Sequence, residues 1–453
     1  MNFIFSFFNQ PAIIIGLIAF IGLVALKKPV DKILTGTFKT VIGFVILASG
    51  GGIISSALEK LSPAFESAFN VRGVIPSNEA VIGVAQKLFG SEMALIMAFG
   101  FLCNILIARF TRFKYIFLSG HHVLFMSALL SAVLSALNFK GIELVVVGSL
   151  ILGSVMTLSP AIVQPFYRKV TGNDAVAMGH FNGISYSLSP LISRLVGNKE
   201  HSTEDIKVPK QLSFFRDNTI TTVIVMGILY VITYLLADKS VALKLSSGDN
   251  IIMFAIMQAI TFTAGFVIVL QGVRMMLAEI VPAFKGVSEK VVPDAIPALD
   301  VPVLFPYAPN AVLIGFISSV VGGFIIFLIL PMTSLPIIIP SLINLFFVGA
   351  GVGVLANAAG GIRGTIVAGV FNGALITFLP AVMLPLLGQL GFNNSTFGDA
   401  DFAVVGIVVG TIGRTFGNIG IYGLLIIFAL IFFIGSLIKS KRITPVETDK
   451  KVV

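Results

Sequence analysis

The chain has 453 residues, 56% of them hydrophobic and 11% charged, with a mean hydropathy of +1.02. Soluble domains carry about 25% charged residues, so this composition excludes a water-soluble enzyme, and scarce charge beside abundant apolar residues excludes a disordered chain. The net charge of +9 falls in short clusters between apolar runs, the pattern of loops flanking membrane spans and not of a nucleic-acid surface.

Continuous apolar stretches of about 20 residues favour membrane-spanning helices over a barrel of short alternating strands. In chain order, spans are predicted at 11–27, 39–57, 91–110, 115–138 and 142–166. A second set follows at 219–237, 251–273, 311–331, 335–357, 364–390 and 417–438, giving about eleven in an all-α polytopic membrane protein. The first run lacks a basic flank and reads as a retained span, not a cleaved signal. Segment 174–195, "DAVAMGHFNGISYSLSPLISRL", is polar and Gly/Ser-rich and reads as a re-entrant or broken helix, tolerated only where protein or water covers it. Segment 402–413, ended by Arg414, reads as a similar partial element.

The basic clusters "LKKPVDK", "RFTRFK", Arg168 with Lys169, and the tail "KSKR" all fall on one side if the N-terminus is outside and the C-terminus cytoplasmic. The loop from Glu59 to Lys87 and the acidic "FGDAD" are then expected outside. The single cysteine, Cys103, excludes internal disulfides and a cysteine-based metal cluster.

An internal repeat is visible. "GFVILASG" at 43–50 recurs as "GFVIVLQG" at 265–272, "SPAF" at 62–65 as "VPAF" at 281–284, and "EAVIGVAQKLFG" at 79–90 resembles "NAVLIGFISSVVG" at 310–322. An odd number of spans between the copies gives them opposite orientation, the inverted repeat of transporters, with sites near the midplane at the repeat interface. The expected organisation is a first repeat over 1–210, a second over 211–400, and a final span with basic tail over 401–453.

Ionisable groups at membrane depth are expensive and mark candidate sites. His121 and His122 open a span in "FLSGHHVLFM", and His180 sits in the broken segment as "MGHFNG". These imidazoles either bind a ligand or satisfy backbone carbonyls. Asp300 ends "VVPDAIPALD", where prolines at 293, 297, 302, 306 and 309 prevent a continuous helix, so the stretch reads as a hairpin dipping into the protein. Its carboxylate either accepts hydroxyl protons or caps a helix. Asn78 and Glu79 in "IPSNEAV" are the repeat mates of the "APNAV" region. The glycines at 50–52 and 356–364 permit close helix approach, and Arg274 is positioned to pair with Glu279. No P-loop, HExxH, GxSxG or cysteine nucleophile motif is present, which argues against ATP hydrolysis and against an enzyme acting alone, and no cofactor is expected.

Three stretches, "FLSGHH", "MGHFNG…GNKEHSTEDIKVPKQLSFFRDNTITTVIVM" and "LQGVRMMLAEIVPAFKGVSEKVVP…LD…PYAPNAV", resemble the ascorbate-type IIC family, membrane subunits of the bacterial phosphoenolpyruvate-dependent sugar phosphotransferase system. The resemblance implies a lipid-embedded homodimer of eleven-span protomers in the bacterial cell membrane. Each would carry L-ascorbate or a related sugar acid inward by an elevator motion, for phosphorylation by a separate cytoplasmic IIB subunit recharged by IIA. It places His121, His180 and Asp300 among the substrate ligands, Gly50 beside the pocket, and Asn78 and Glu79 in contact with substrate. Phe125 and Phe181 stand where better-studied members have glutamine, each change removing two donors and an acceptor; His122 is a candidate to replace part of what Phe125 removes. The broken helices and repeats fit an alternative as well, an ion-coupled secondary transporter of a sugar or organic anion with Asp300 or His121 carrying a proton.

Overall fold

The computed structural model describes residues 11–69, 74, 76, 78–206, 218–290, 292–388 and 396–437. The first half contributes α1 (Pro11–Ala25), α2 (Val30–Phe69), α3 (Asn78–Phe110), α4 (Gly120–Ala136), α5 (Gly141–Thr171) and α6 (Gly183–Val196). The second contributes α7 (Asn218–Leu236), α8 (Lys239–Leu245), α9 (Ile251–Lys290), α10 (Pro309–Ile329), α11 (Leu342–Met383) and α12 (Ala400–Leu437). Among the described residues, seven helical stretches are long and apolar enough to cross a membrane, in α2, α3, α5, α9, α10, α11 and α12; Gly120–Ala136 and Thr222–Leu236 are shorter apolar helices. Large apolar side chains such as Phe38, Phe99, Ile228 and Ile426 face outward, as a lipid solvent allows. The protein is a predominantly helical, multi-pass membrane protein.

The helices sort into two packed groups, each drawing on both halves of the chain. One comprises α1, α2, α7, α8 and α9; the other comprises α3 to α6 with α10 to α12. In the first group α2 crosses α9 so closely that only glycine fits. A Cβ at Gly43 would lie 3.2 Å from the Gly272 carbonyl oxygen, and one at Gly50 would lie 2.7 Å from that of Gly265. These are the glycines of the two similar segments, and they meet in reciprocal order, the first of one against the last of the other. Reciprocal contact of this kind means that the two segments run antiparallel.

A small parallel sheet lies inside the second group, a departure from purely helical structure. β1 (Tyr115–Phe117), β3 (Ile296–Leu299) and β2 (Ala177–Met178) pair in the order β1-β3-β2. An open sheet edge cannot face hydrocarbon, and two buried side-chain amides close the edges. Asn104 takes the place of a neighbouring strand beside β1: its Oδ1 accepts from the Phe117 amide at 3.0 Å and its Nδ2 donates to the Tyr115 carbonyl at 3.0 Å. Beside β2, Gln164 donates to the Val176 carbonyl at 3.2 Å.

Several expectations change here. The proline-rich stretch before Asp300 is not a hairpin but the central strand β3, followed by a 3-10 helix over Val301–Tyr307; Pro297 has no N–H for the ladder and is accommodated because the short strand bonds through its neighbours, the Ile296 amide donating to the Lys114 carbonyl and the Ala298 carbonyl accepting from the Leu118 amide. Segment 174–195 is a strand, a turn and then a helix. Segments 335–357 and 364–390 share one helical element, α11, whose 42 residues would span about 63 Å if straight. It breaks at Gly360–Gly361, where Gly361 takes φ +62°, and the His201 carbonyl accepts from the freed Ile362 amide at 2.8 Å. Likewise 402–413 and 417–438 are one element, α12, broken at Gly417, and Arg414 does not end it but donates to the Pro385 carbonyl at 2.6 Å. The tail "KSKR" lies outside the described residues.

Candidate functional site

Each strand of the sheet hands a chemically active side chain to the same place. β1 leads through Leu118 and Ser119 into the first turn of α4, which carries His121 and His122. β2 leads through Gly179 to His180, and β3 ends directly at Asp300. The strands are parallel and in register, Phe117 opposite Ala298 and Met178 opposite Leu299, so their carboxyl ends align. Ligand sites gather at that edge of open parallel sheets for the same topological reason.

Asp300 is the hub. His180 Nδ1 lies 2.7 Å from Asp300 Oδ1, His121 Nε2 lies 3.3 Å from Oδ2, and His122 Nε2 lies 3.6 Å from Oδ1. Oδ1 also accepts from the Val301 amide at 2.7 Å. Asp300 caps the 3-10 helix, as one reading of its sequence context has it, and in addition holds the imidazoles. The rings lie close but not stacked, His180 edge-on to His122 with centroids 4.0 Å apart and His121 tilted against His122 at 4.4 Å.

These side chains open into a cavity of about 690 Å³ between the two helix groups, within the range of small-molecule sites. Among the described residues, every ionisable group on its wall comes from the second group: His121, His122, His180, Asp300 and Asp399, beside Asn78, Asn344 and Phe125. The first group supplies an almost wholly apolar face, Phe44, Val45, Ala48 and Val269, with Ser49 and the backbone of Gly51 and Gly52.

Of the residues expected in the site, Asn78, His121, His122, Phe125, His180 and Asp300 line this cavity. Gly50 does not; it faces the α9 backbone, and its neighbours Gly51 and Gly52 reach the cavity instead. Phe181 does not either, because successive residues at the end of β2 point to opposite sides. Its ring is fully buried, stacked at 4.4 Å on Phe117 and edge-on to Phe402 at 5.7 Å. The side chain of Glu79 lies outside the described residues. Glu279 pairs with Lys39 at 3.6 Å and not with Arg274.

The acidic "FGDAD" is the main departure. Asp399 and Asp401 are 2% and 4% exposed, buried against the site instead of projecting from a loop. Asn78 Nδ2 donates to Asp399 Oδ2 at 2.9 Å and Asn344 Nδ2 donates to Oδ1 at 3.1 Å. Asp401 accepts from the Gly183 and Ile184 amides, both at 2.9 Å, and from the Ser159 hydroxyl at 2.6 Å. It therefore caps α6 just after His180. Asn182 accepts from the Ala400 amide at 2.8 Å, completing a two-way clamp between 180–184 and 399–401. A lone asparagine in an apolar run (Asn344) and two acids directly before a long apolar helix were the available sequence signals.

Donor atoms of His122, His180 and Asp399 lie within 4.8 Å of one another, as do those of His121, His122 and Asp300. His180 Nδ1 is committed to Asp300 and both Asp399 oxygens accept side-chain amides, so these groups form one hydrogen-bonded array.

A family model described as PTS system sugar-specific permease component, EIIC-GAT, matches residues 6–401. The chain belongs to that family. A relative from Mycoplasma pneumoniae (strain ATCC 29342 / M129), described as an ascorbate-specific PTS system EIIC component, is 28% identical over 412 residues. The match covers 79% of this chain and 62% of that relative, so this permease-family chain spans less than two thirds of the relative's length.

Proposed function

We propose that this permease-family chain is the membrane component, IIC, of a sugar phosphotransferase system, and that it binds an ascorbate-like sugar acid and moves it inward. The observation that carries the reading is the cavity itself. Three imidazoles and two carboxylates converge from the carboxyl ends of one sheet and from the start of α12, in a chamber large enough to admit a sugar. Imidazole N–H groups suit hydroxyl or enolate oxygens, and the carboxylates accept hydroxyl protons. The name of the Mycoplasma pneumoniae relative supports L-ascorbate as the first ligand to try.

The division of labour across the cavity supports an elevator. The ionisable groups described on the wall belong to one helix group and face an almost wholly apolar wall of the other, so the ligand-bearing group can slide past a fixed face while breaking few polar contacts. The reciprocal antiparallel crossing of α2 and α9 supports two inverted repeats over 1–210 and 211–400, with 401–453 appended and about eleven spans in all. The same reading includes a homodimer in membrane lipid, an outside N-terminus, a cytoplasmic C-terminus, and cytoplasmic IIB and IIA subunits that phosphorylate the sugar on arrival. His121, His122, His180, Asp300, Asn78 and Phe125 are its substrate-contacting residues.

The test is a calorimetric titration of the purified chain with L-ascorbate, other sugar acids and pentitols, paired with uptake in cells. Binding of a sugar acid together with uptake that requires the phosphotransferase proteins is the expected result. Uptake that collapses with an uncoupler but survives loss of those proteins would favour an ion-coupled secondary transporter instead.

A further inference from the structure

Two buried polar atoms on the cavity wall face each other without touching. His180 Nε2 has no hydrogen-bond partner, and it lies 3.7 Å from Asp399 Oδ1, beyond hydrogen-bond range. Both side chains are more than nine-tenths buried and both line the cavity. Neither is free to close the gap. Asp300 holds His180 through Nδ1 at 2.7 Å, and the Asn78 and Asn344 amides hold the two Asp399 oxygens from α3 and α11. An unpaired buried polar atom is costly to maintain, so a rigid, unbridged pair calls for a ligand group.

The chemistry of the gap selects that group. An ionised carboxylate only accepts, and the two amides leave lone pairs on Asp399 unused. With Nδ1 directed at one carboxylate and Nε2 at another, both ring nitrogens are set to donate. A bridging group must therefore accept from His180 and donate to Asp399. A hydroxyl does both, an ammonium cannot accept, and an anionic oxygen cannot donate.

We propose that Asp399 is a substrate-contacting, specificity-determining residue, and that one neutral hydroxyl of the bound ligand bridges Asp399 Oδ1 and His180 Nε2. The anionic or enolic end of a sugar acid is thereby kept away from Asp399 and directed toward His121 and His122, giving the ligand a fixed orientation. This inference rests on the sugar-binding reading above.

A double-mutant cycle between protein and ligand tests it. Calorimetry on the detergent-solubilised full chain would compare L-ascorbate with its 5-deoxy and 6-deoxy analogues, on wild type and on Asp399→Asn. Should the amide variant fail to run as a monodisperse species, Asp399→Ser carries the same comparison. The expected result is that one deoxy analogue binds wild type about tenfold more weakly than L-ascorbate, while the variant binds L-ascorbate about tenfold more weakly and shows no further loss for that analogue. Full additivity at both hydroxyls, or wild-type affinity in the variant, overturns the proposal and leaves the sugar reading standing. Failure of wild type to bind any sugar acid or pentitol overturns both.

Discussion

His180 and Asp300 are separated by 120 residues of chain and meet at 2.7 Å between Nδ1 and Oδ1. The contact is made possible by adjacent parallel strands, β2 and β3, that end side by side. It ties the start of α6 to the 3-10 helix preceding α10, so the two halves of the chain share one polar centre.

Removal of His180 should therefore cost binding rather than folding, since Asp300 keeps its contacts with His121, His122 and the Val301 amide. His180→Ala is expected to weaken the cognate sugar at least a hundredfold, about 2.7 kcal/mol, with an unchanged helical circular dichroism spectrum. Wild-type affinity in a calorimetric titration would refute the role.

Phe125 and Phe181 should separate cleanly. Phe125 lines the cavity beside His121 and His122, so Phe125→Gln adds donors and an acceptor where a ligand sits. It should bind L-ascorbate about tenfold more tightly. Phe181→Gln instead buries an amide between Phe117 and Phe402, at a cost of about 3 kcal/mol from lost packing and an unpaired polar group. Thermal melts in detergent should fall for the second variant and hardly move for the first; tighter binding from Phe181→Gln alone would mean that its ring reaches the ligand.

Much of this was legible in the chain because membrane burial makes polar residues conspicuous. His121, His122, His180 and Asp300 stand out against apolar surroundings, and the prolines around Asp300 announce non-helical backbone. The glycine spacing of 43–50 and 265–272 likewise signals close helix approach. What stayed hidden was long-range. Three strands of two to four residues carry no periodicity to read, and they form only because each is covered and paired in the folded protein. Asp399 and Asp401 look like a solvated acidic loop until Asn78, Asn344, Ser159 and the α6 amides surround them. The split between Phe125 in the cavity and Phe181 behind it depends on which face of α4 carries the first ring and which way the turn after β2 directs the second, which residue identity alone does not encode.

Asn104 offers a test of the buried sheet that is independent of ligand. Its side chain pairs both the donor and the acceptor on the outer edge of β1 and also donates to Thr157 Oγ1 at 2.9 Å. Asn104→Leu preserves volume but strands the buried Phe117 amide, at about 1–3 kcal/mol for a group left unpaired. The melting temperature should drop markedly, whereas Asn104→Asp, which retains the acceptor, should lie between. Equal stability of wild type and the leucine variant would mean that this edge is not closed as described.

Asp401 should act on binding only through position. It caps α6 through two amides and the Ser159 hydroxyl, and the residues immediately before that cap are His180 to Asn182. Loss of an N-cap costs about 0.5–2 kcal/mol, and the stranded hydroxyl adds to it. Asp401→Ala should thus lower stability and also weaken sugar binding severalfold, because the turn bearing His180 loses its anchor to α12. Asp401→Asn keeps one acceptor for the amides and should recover most of the affinity. Ser159→Ala removes a single contact and should be milder in both respects. Combined with Asp401→Ala it should add almost nothing, since the hydroxyl's partner is already gone; additive losses in the double variant would show that Ser159 and Asp401 support the site separately.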